Sequence, residues 1–128
     1  MTALRIDPQN PAPIWSQIEE GLRRLVASAA LKPGTAVPSV RDLAKELKVN
    51  PATVAKAYQR LTEVGVLEVR RGNGTYVAGT PPPMNRSERS KILREAATRY
   101  ASLAATLGVE EEEAAGALAA VWKKEGRP

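Results

Sequence analysis

The stretch VRRGNGTYV at residues 69–77 is the first candidate for chemistry, because it places two arginines beside two glycines and an Asn-Gly pair. Three roles are open for it: the phosphate cradle of a nucleotide-binding enzyme, a plain hairpin turn, or an arm that touches nucleic acid. A cradle of the P-loop kind needs its glycines between a strand and a helix, with Lys and then Ser or Thr after them. Here a second strand-like segment, TYVA, follows the glycines, so a phosphate cradle is excluded.

The residue types in the chain argue against catalysis. Its 128 residues include no cysteine and no histidine, which excludes disulfides, thiol nucleophiles and thiolate metal sites and removes the commonest general base. Carboxylates and lysines remain, and the four glutamates at 110–113 are better explained as the start of a helix than as a metal site. We therefore expect a protein that is not an enzyme and that uses no cofactor and no metal.

The charge of the chain suits a polyanionic partner. The formal net charge is +5, and residues 1–80 carry 11 Lys and Arg against seven Asp and Glu, so most of the excess lies there. The alternative is a charge that serves only solubility. No apolar run approaches the roughly 20 residues of a membrane span, and the N-terminus lacks the pattern of a secretory signal. We expect a soluble, cytoplasmic protein that makes no membrane contact.

Hydrophobic periodicity predicts three helices in the first part of the chain. Apolar residues at three- and four-residue spacing predict a helix over residues 13–31, which ends before the Lys-Pro-Gly at 32–34. A shorter helix follows Ser39, a good N-cap, and a third spans 51–64, with Asn50 as its N-cap and Pro51 in its first turn. Two helices joined by about three residues in this way are typical of a helix-turn-helix.

The start of the third predicted helix carries the residues best suited to reading DNA. In a helix-turn-helix the N-terminal end of the second helix enters the major groove. Asn50, Thr53 and Lys56 offer hydrogen bonds to base edges or phosphates there, and Ala52 allows the backbone to approach closely. For Asn50 the alternative is a role as helix cap only.

Arg41 is the candidate on the preceding helix. It lies in the first turn, where the helix dipole disfavours a cation, so its placement requires compensation. A phosphate or a guanine edge would provide it. The alternative is an internal ion pair with Asp42 or Glu46.

The opening stretch fits a β-hairpin. Strand-like segments flank the tip RGNG, where glycine and asparagine are expected to supply the positive φ angles of the turn. After a helix-turn-helix, a basic hairpin is typical of a wing, which lies along the DNA backbone or enters the minor groove. We predict a wing at 70–76; a purely structural hairpin is the alternative.

A proline-rich linker separates two predicted domains. The segment GTPPPM predicts a linker at 80–84, between a DNA-binding domain at 1–79 and a helical domain at 85–128. The tail has two helices whose apolar faces are too small for a core of their own. Docking on the first domain of the same chain is one way to cover these faces, and dimerisation is the other. We predict dimerisation, through Ile92, Ala96, Tyr100, Leu103, Leu107, Leu118, Val121 and Trp122.

Residues 37–79, VPSVRDLAKELKVNPATVAKAYQRLTEVGVLEVRRGNGTYVAG, resemble the winged helix-turn-helix domain of GntR-type bacterial transcription regulators. The resemblance rests on PSxRxLA, the Thr-Val pair of the third helix, the glycine after it and GxGTxV, and with the preceding helix it covers roughly residues 10–79. The short two-helix tail and NPATVAKAY look like the YtrA subfamily. That resemblance implies a tail that mainly dimerises and a role that is often repression of operons for membrane transporters.

The resemblance also implies specific contacts. Many members of the family carry a basic residue at the position of Ala55, and its absence implies a larger share of DNA binding for Lys56 or Arg71. Carried over by position, the DNA contacts are Arg41, Asn50, Thr53 and the wing around Arg71, Gly72 and Gly74.

These observations predict a mainly α fold with a small β-hairpin, a winged helix-turn-helix domain followed by a two-helix C-terminal domain. The expected function is a sequence-specific regulator, a homodimeric repressor of a neighbouring operon that binds double-stranded DNA at a two-fold symmetric operator; the sequence identifies no small-molecule effector. The alternative is a winged-helix module that binds protein rather than DNA. The full set of expected DNA-binding residues is Ser39, Arg41, Asn50, Ala52, Thr53, Lys56, Arg70, Arg71, Gly72, Asn73 and Gly74.

Overall fold

The computed structural model describes residues 4–125. Within them the elements follow in the order α1 (Ile14–Ala27), α2 (Val40–Leu47), α3 (Pro51–Glu63), β1 (Leu67–Arg70), β2 (Gly74–Val77), α4 (Arg86–Thr106) and α5 (Glu111–Lys124). The mainly helical class with one small hairpin is confirmed. The chain divides into two compact units between Met84 and Asn85. Residues 1–3 and 126–128, which belong to the two predicted domains, lie outside the described range.

Helix α1 supplies one side of the core of the first unit. It buries Ile18, Leu22 and Val26, the apolar stripe that the periodicity predicts. The predicted end of this helix, at residue 31, is wrong by four residues. The chain turns at Ala29, whose φ is 64°, and the amide of Leu31 then donates to the carbonyl of Leu25 at 3.0 Å, which closes the helix end.

Helices α2 and α3 form the helix-turn-helix and complete the core. The Ser39 hydroxyl accepts from the amide of Asp42 at 3.1 Å, as expected of an N-cap. Between the helices, Lys48 adopts a left-handed conformation with φ 59° and ψ 47°. Helix α3 ends at Glu63, one residue before the predicted end. Helix α3 packs against both α1 and α2. The residues of α2 and α3 that are buried in this core are Leu43, Ala44, Val54, Ala57, Tyr58 and Leu61.

The hairpin forms a small sheet after α3. Strands β1 and β2 are antiparallel, and Arg70 pairs with Gly74 at the end next to the turn. The positive φ angles at the tip belong to Gly72 and Gly74, at 79° and 104°. The predicted positive φ at Asn73 is wrong, because among the described non-glycine residues only Ala29 and Lys48 have one.

A segment before the helix-turn-helix also joins this sheet, and the sequence did not predict it. Ala36 forms a bridge with Tyr76, and Val77 donates its amide to the carbonyl of Thr35 at 2.8 Å. The amide of Val37 donates to Thr75 at 2.9 Å. Strand β2 therefore has backbone partners on both sides, which a two-stranded hairpin alone lacks.

The linker after the sheet contacts α1. The Arg23 guanidinium donates to the carbonyls of Pro82 and Pro83 at 2.7 and 3.3 Å. These bonds hold the proline segment on the first unit, where the chain leaves it.

The second unit consists of α4 and α5, the two helices predicted for the tail. Asn85 and Glu88 form a reciprocal capping box at the start of α4, and Gly108, with φ 70°, follows its end. The Tyr100 hydroxyl donates to the carbonyl of Ala114 at 2.6 Å and ties the helices together. No described side chain in either helix is buried. In residues 4–125 no helix has the length and apolar character that a membrane crossing requires.

Candidate nucleic-acid interface

Arg41 is exposed in the first turn of α2 and is unpaired within the described chain. Among residues 4–125 its guanidinium takes part in no hydrogen bond or ion pair. The alternative ion pair with Asp42 or Glu46 is therefore not formed within the described chain. No hydrogen bond or ion pair within residues 4–125 therefore compensates the unfavourable position of this cation at the start of a helix.

The beginning of α3 presents a short polar surface. The side-chain oxygen of Asn50 accepts from the amide of Ala52 at 2.8 Å, so the cap role considered for Asn50 is present. Its amide nitrogen forms no bond within the part of the chain that the structure describes. Ala52 is exposed and Thr53 is half-buried beside it. Asn50 thus caps the helix with one atom and retains its donor for a ligand.

Ser39, like Asn50, is the N-cap of a helix. Its hydroxyl caps α2 through Asp42, and its side chain is exposed next to Arg41. Because a hydroxyl that accepts one bond can still donate one, the capping role leaves a donor for a phosphate.

Lys56 lies about one turn after Thr53 on α3, and its ammonium lies over an aromatic ring. Its ammonium is 4.3 Å from the centre of the Trp15 ring of α1, and the Arg60 guanidinium is 4.8 Å from the same ring. Arg60 also pairs with Glu19 at 2.8 Å. Trp15 was not among the predicted site residues, although its position in the first turn of α1, beside the apolar stripe, was a visible signal.

The two wing arginines have different surroundings. Arg70 pairs with Glu68 at 3.0 Å, and its guanidinium stacks 4.0 Å from the centre of the Tyr76 ring. Arg71 is the first residue of the turn; it is exposed and has no bonded or stacked partner among residues 4–125. The two arginines are adjacent in sequence, but within residues 4–125 only Arg70 has a partner.

The wing tip is exposed and partly braced. Gly72, Asn73 and Gly74 all face solvent, and the Tyr76 hydroxyl donates to the carbonyl of Asn73 at 3.2 Å. The glycines leave the backbone open to close approach by a ligand.

A shallow apolar groove runs between α3 and the wing, which the sequence did not predict. Its volume is about 520 Å³. Tyr58 lies in its floor, where its hydroxyl donates to the carbonyl of Pro38 at 2.7 Å. Burial, and to a lesser extent the nearby negative charge of Glu46, raises the pKa of Tyr58 above its ordinary value of 10.0. The lining residues are Val40, Ala55, Tyr58, Gln59, Thr62, Glu63, Val69 and Thr75.

Most of the residues predicted for dimerisation are exposed in the second unit. Leu103 and Leu107 are 55% and 68% exposed. Ile92 is half-buried and Ala96 is exposed on the same face of α4. Tyr100 on α4 and Leu118, Val121 and Trp122 on α5 are exposed as well.

Known proteins resemble the chain in sequence and in structure. Residues 15–77 match the family described as bacterial regulatory proteins, gntR family. The HTH-type transcriptional repressor YtrA of Bacillus subtilis (strain 168) is 43% identical over 75 residues, which are 59% of this chain and 58%, less than two thirds, of that repressor.

Solved structures extend the likeness to the fold. YtrA from Sulfolobus acidocaldarius, a GntR-family transcription factor, has a TM-score of 0.58 and 36% identity, covering 74% of this chain and 98% of that one. The DNA-binding domain of AraR, in complex with operator ORX1, has a TM-score of 0.52 and 26% identity, covering 59% of this chain and 93% of that one.

Proposed function

Because the chain belongs to the GntR family of bacterial regulatory proteins and is a DNA-binding transcriptional regulator, we propose that it acts as a dimeric repressor at a two-fold symmetric operator. Family membership confirms the expectation of a regulator rather than an enzyme. Repression is supported by the name of the Bacillus subtilis relative. The resemblance to the YtrA subfamily points to a neighbouring operon, with transporter genes as the first candidates. We place the protein in the cytoplasm, where it has access to the chromosome.

The uncompensated cation at Arg41 is the observation that carries this proposal. A guanidinium exposed in the first turn of a helix, with no partner among residues 4–125, is stabilised when a phosphate or a guanine edge binds it. A polar surface continues from Arg41 along the start of α3. It consists of the amide nitrogen of Asn50, the small side chain of Ala52, Thr53 and Lys56. We propose that this surface enters the major groove.

The wing supplies the second contact. Arg71 is exposed and unpaired within the described chain, whereas Arg70 is engaged by Glu68 and Tyr76. We assign the contact with the backbone or minor groove to Arg71 and the open tip at 72–74, and a supporting role to Arg70. Arg71→Ala should then weaken operator binding more than Arg70→Ala, although both remove one positive charge. Equal losses would mean that the wing acts by charge alone.

Dimerisation through the tail is supported by the exposed apolar face of α4 and α5. One short recognition helix contacts one half-site, and two-fold operators match the symmetry of a protein dimer. The dimer would bring two such helices to two half-sites.

The proposal is tested with DNA fragments selected by the purified protein. We expect the affinity of the wild-type protein for the selected operator to fall steeply as salt rises, because bound phosphates release counterions. Arg41→Ala should cost about 1 to 3 kcal/mol on the operator and less on random DNA, as expected for a residue that contacts a base. Arg89→Ala, an exposed arginine of α4, is the matched control and should bind as the wild type does.

Three outcomes would contradict parts of this proposal. If Arg41→Ala weakens binding equally on operator and random DNA, Arg41 only holds a phosphate. If Arg89→Ala has the same effect as Arg41→Ala, net charge explains both. If the protein binds no fragment, or shows no steep salt dependence, the winged domain is a protein-binding module.

A further inference from the structure

A cluster of one aromatic ring and two cations joins α1 to the exposed side of α3. Trp15 lies in the first turn of α1, and Lys56 and Arg60 lie one turn apart on α3, so both cations project from the same face of that helix. The ring centre is 4.3 Å from the Lys56 ammonium and 4.8 Å from the Arg60 guanidinium. These distances are within the range of cation–π attraction.

The two cations differ in how their charge is compensated. Arg60 donates to the Glu19 carboxylate at 2.8 Å, which offsets its charge and directs it towards α1. Lys56 has no carboxylate partner among residues 4–125, and its ammonium lies over the neutral Trp15 ring. An aromatic ring attracts an ammonium without neutralising it, so Lys56 retains its full charge and its N–H donors.

Lys56 is therefore the one cation of α3 that is both held in place and unpaired within the described chain. The sequence of α3, PATVAKAYQRLTE, contains no cation before it, and the preceding residue is Ala55. A free lysine side chain loses much rotamer freedom when it binds a phosphate. A side chain already held by a ring has less freedom to lose.

We propose that Trp15 is a positioning residue for DNA binding, which holds the Lys56 ammonium ready for a backbone phosphate of the operator. Through this contact α1, which lies outside the helix-turn-helix, contributes to the affinity of α3 for DNA. The inference rests on the proposed placement of α3 in the major groove. It also assigns Arg60 to the α1–α3 contact rather than to DNA.

The test is a double-mutant cycle in the full-length protein, with operator affinity as the readout. Trp15→Leu removes the ring and Lys56→Met removes the ammonium; each should weaken binding roughly three- to tenfold. The double variant should bind no more weakly than Lys56→Met, because Trp15 acts through Lys56. Trp15→Tyr, which retains an aromatic face, should bind within about twofold of the wild type. Arg60→Met is the matched control and should also remain within about twofold, because Glu19 already engages that cation.

Additive losses of operator affinity in the two single variants would overturn the inference. It would also be overturned if Trp15→Tyr bound the operator as weakly as Trp15→Leu, or if Trp15→Leu bound it as tightly as the wild type. Circular dichroism checks the fold, and Trp15→Met replaces Trp15→Leu in the cycle if the leucine variant is unfolded. Failure of the wild-type protein to bind DNA would instead reject the proposed function, so the two failures are separated by the wild-type measurement.

Discussion

At the scale of single residues, the DNA contact that we propose for Asn50 would leave its role as a helix cap intact. Its oxygen accepts from the amide of Ala52, and its nitrogen, which forms no hydrogen bond within residues 4–125, is the donor that we propose for DNA. Asparagine provides an acceptor and a donor at opposite corners of one amide group, so the two tasks do not compete for the same atom.

Two substitutions of Asn50 separate these tasks. Asn50→Asp keeps the acceptor at the helix start, so the free energy of unfolding should stay within about 0.5 kcal/mol of the wild type. It removes the donor and adds a negative charge, so operator affinity should fall. Asn50→Ala should lose about 1 kcal/mol of stability as well. Urea unfolding and fluorescence polarisation with labelled operator measure the two quantities, and wild-type affinity in Asn50→Asp would exclude a DNA role for the amide.

Tyr58 makes stability depend on pH in the alkaline range. Its pKa is raised in the folded protein, chiefly by burial. Above pH 10 the unfolded chain therefore loses the phenolic proton while the folded protein retains it, so stability is full below pH 10 and declines as pH rises further.

Tyr58→Phe tests this dependence. At pH 7 the variant should be less stable by about 1 kcal/mol, because it lacks the hydrogen bond to Pro38. That difference should narrow by about 0.5 to 1 kcal/mol between pH 9 and pH 10.5, because only the wild type carries the titrating phenol at this site. Urea unfolding of both proteins across this pH range provides the measurement. A constant difference would show that Tyr58 has the same pKa in both states.

At the scale of elements, two helix ends depend on left-handed residues that are not glycine. Ala29 turns the chain after α1 with φ 64°, and Lys48 occupies the turn between α2 and α3 with φ 59°. Side chains with a Cβ are strained in this conformation. Ser39 and Asn50 gave local signals as caps, whereas an alanine at 29 and a lysine at 48 gave no signal for a left-handed conformation.

Glycine at either position should stabilise the protein. We expect Ala29→Gly and Lys48→Gly each to raise the free energy of unfolding by about 0.5 to 1 kcal/mol, because the relief of strain exceeds the added entropy of the unfolded chain. Gly116 lies in the interior of α5 and provides a control in which glycine is removed rather than introduced. Gly116→Ala should raise the free energy of unfolding by a similar amount, because alanine has the higher helix propensity. Urea unfolding monitors all three variants. No gain at Ala29 or Lys48 would mean that their side chains make compensating contacts.

At the scale of the whole molecule, the exposed face of α4 and α5 should determine the oligomeric state. A charge on this face opposes burial against a second copy. Leu103→Glu should therefore convert a dimer to a monomer in sedimentation experiments and weaken operator binding. Ala105→Glu places the same charge on another exposed face of α4 and should leave the dimer intact.

A chain ending at Met84 provides the second arm of this test. It retains the linker segment that Arg23 holds, and it should sediment as a monomer. A dimer of this shortened chain, or a monomeric full-length protein, would contradict dimerisation through the tail.

The sequence by itself determined the features that depend on neighbouring residues. The caps at Ser39 and Asn50, the tip glycines and the apolar residues that α1, α2 and α3 bury all act within about one or two turns of the chain, and each is present in the structure. The family motifs extend these local signals to the order of the elements, and hence to the fold and the class of function.

Only the tertiary structure decided which cations have a partner among residues 4–125. Arg60 meets Glu19 across 41 positions of the chain, and Lys56 meets Trp15 across the same interface between α1 and α3. The pairing of Ala36 with Tyr76 likewise joins distant segments. Such contacts depend on how the helices and strands pack, and packing is set by the summed burial of many side chains rather than by any local pattern. For that reason the sequence does not distinguish the paired arginines from the unpaired ones. In the folded protein Arg60 and Arg70 have carboxylate partners, and Arg41 and Arg71 have none within residues 4–125.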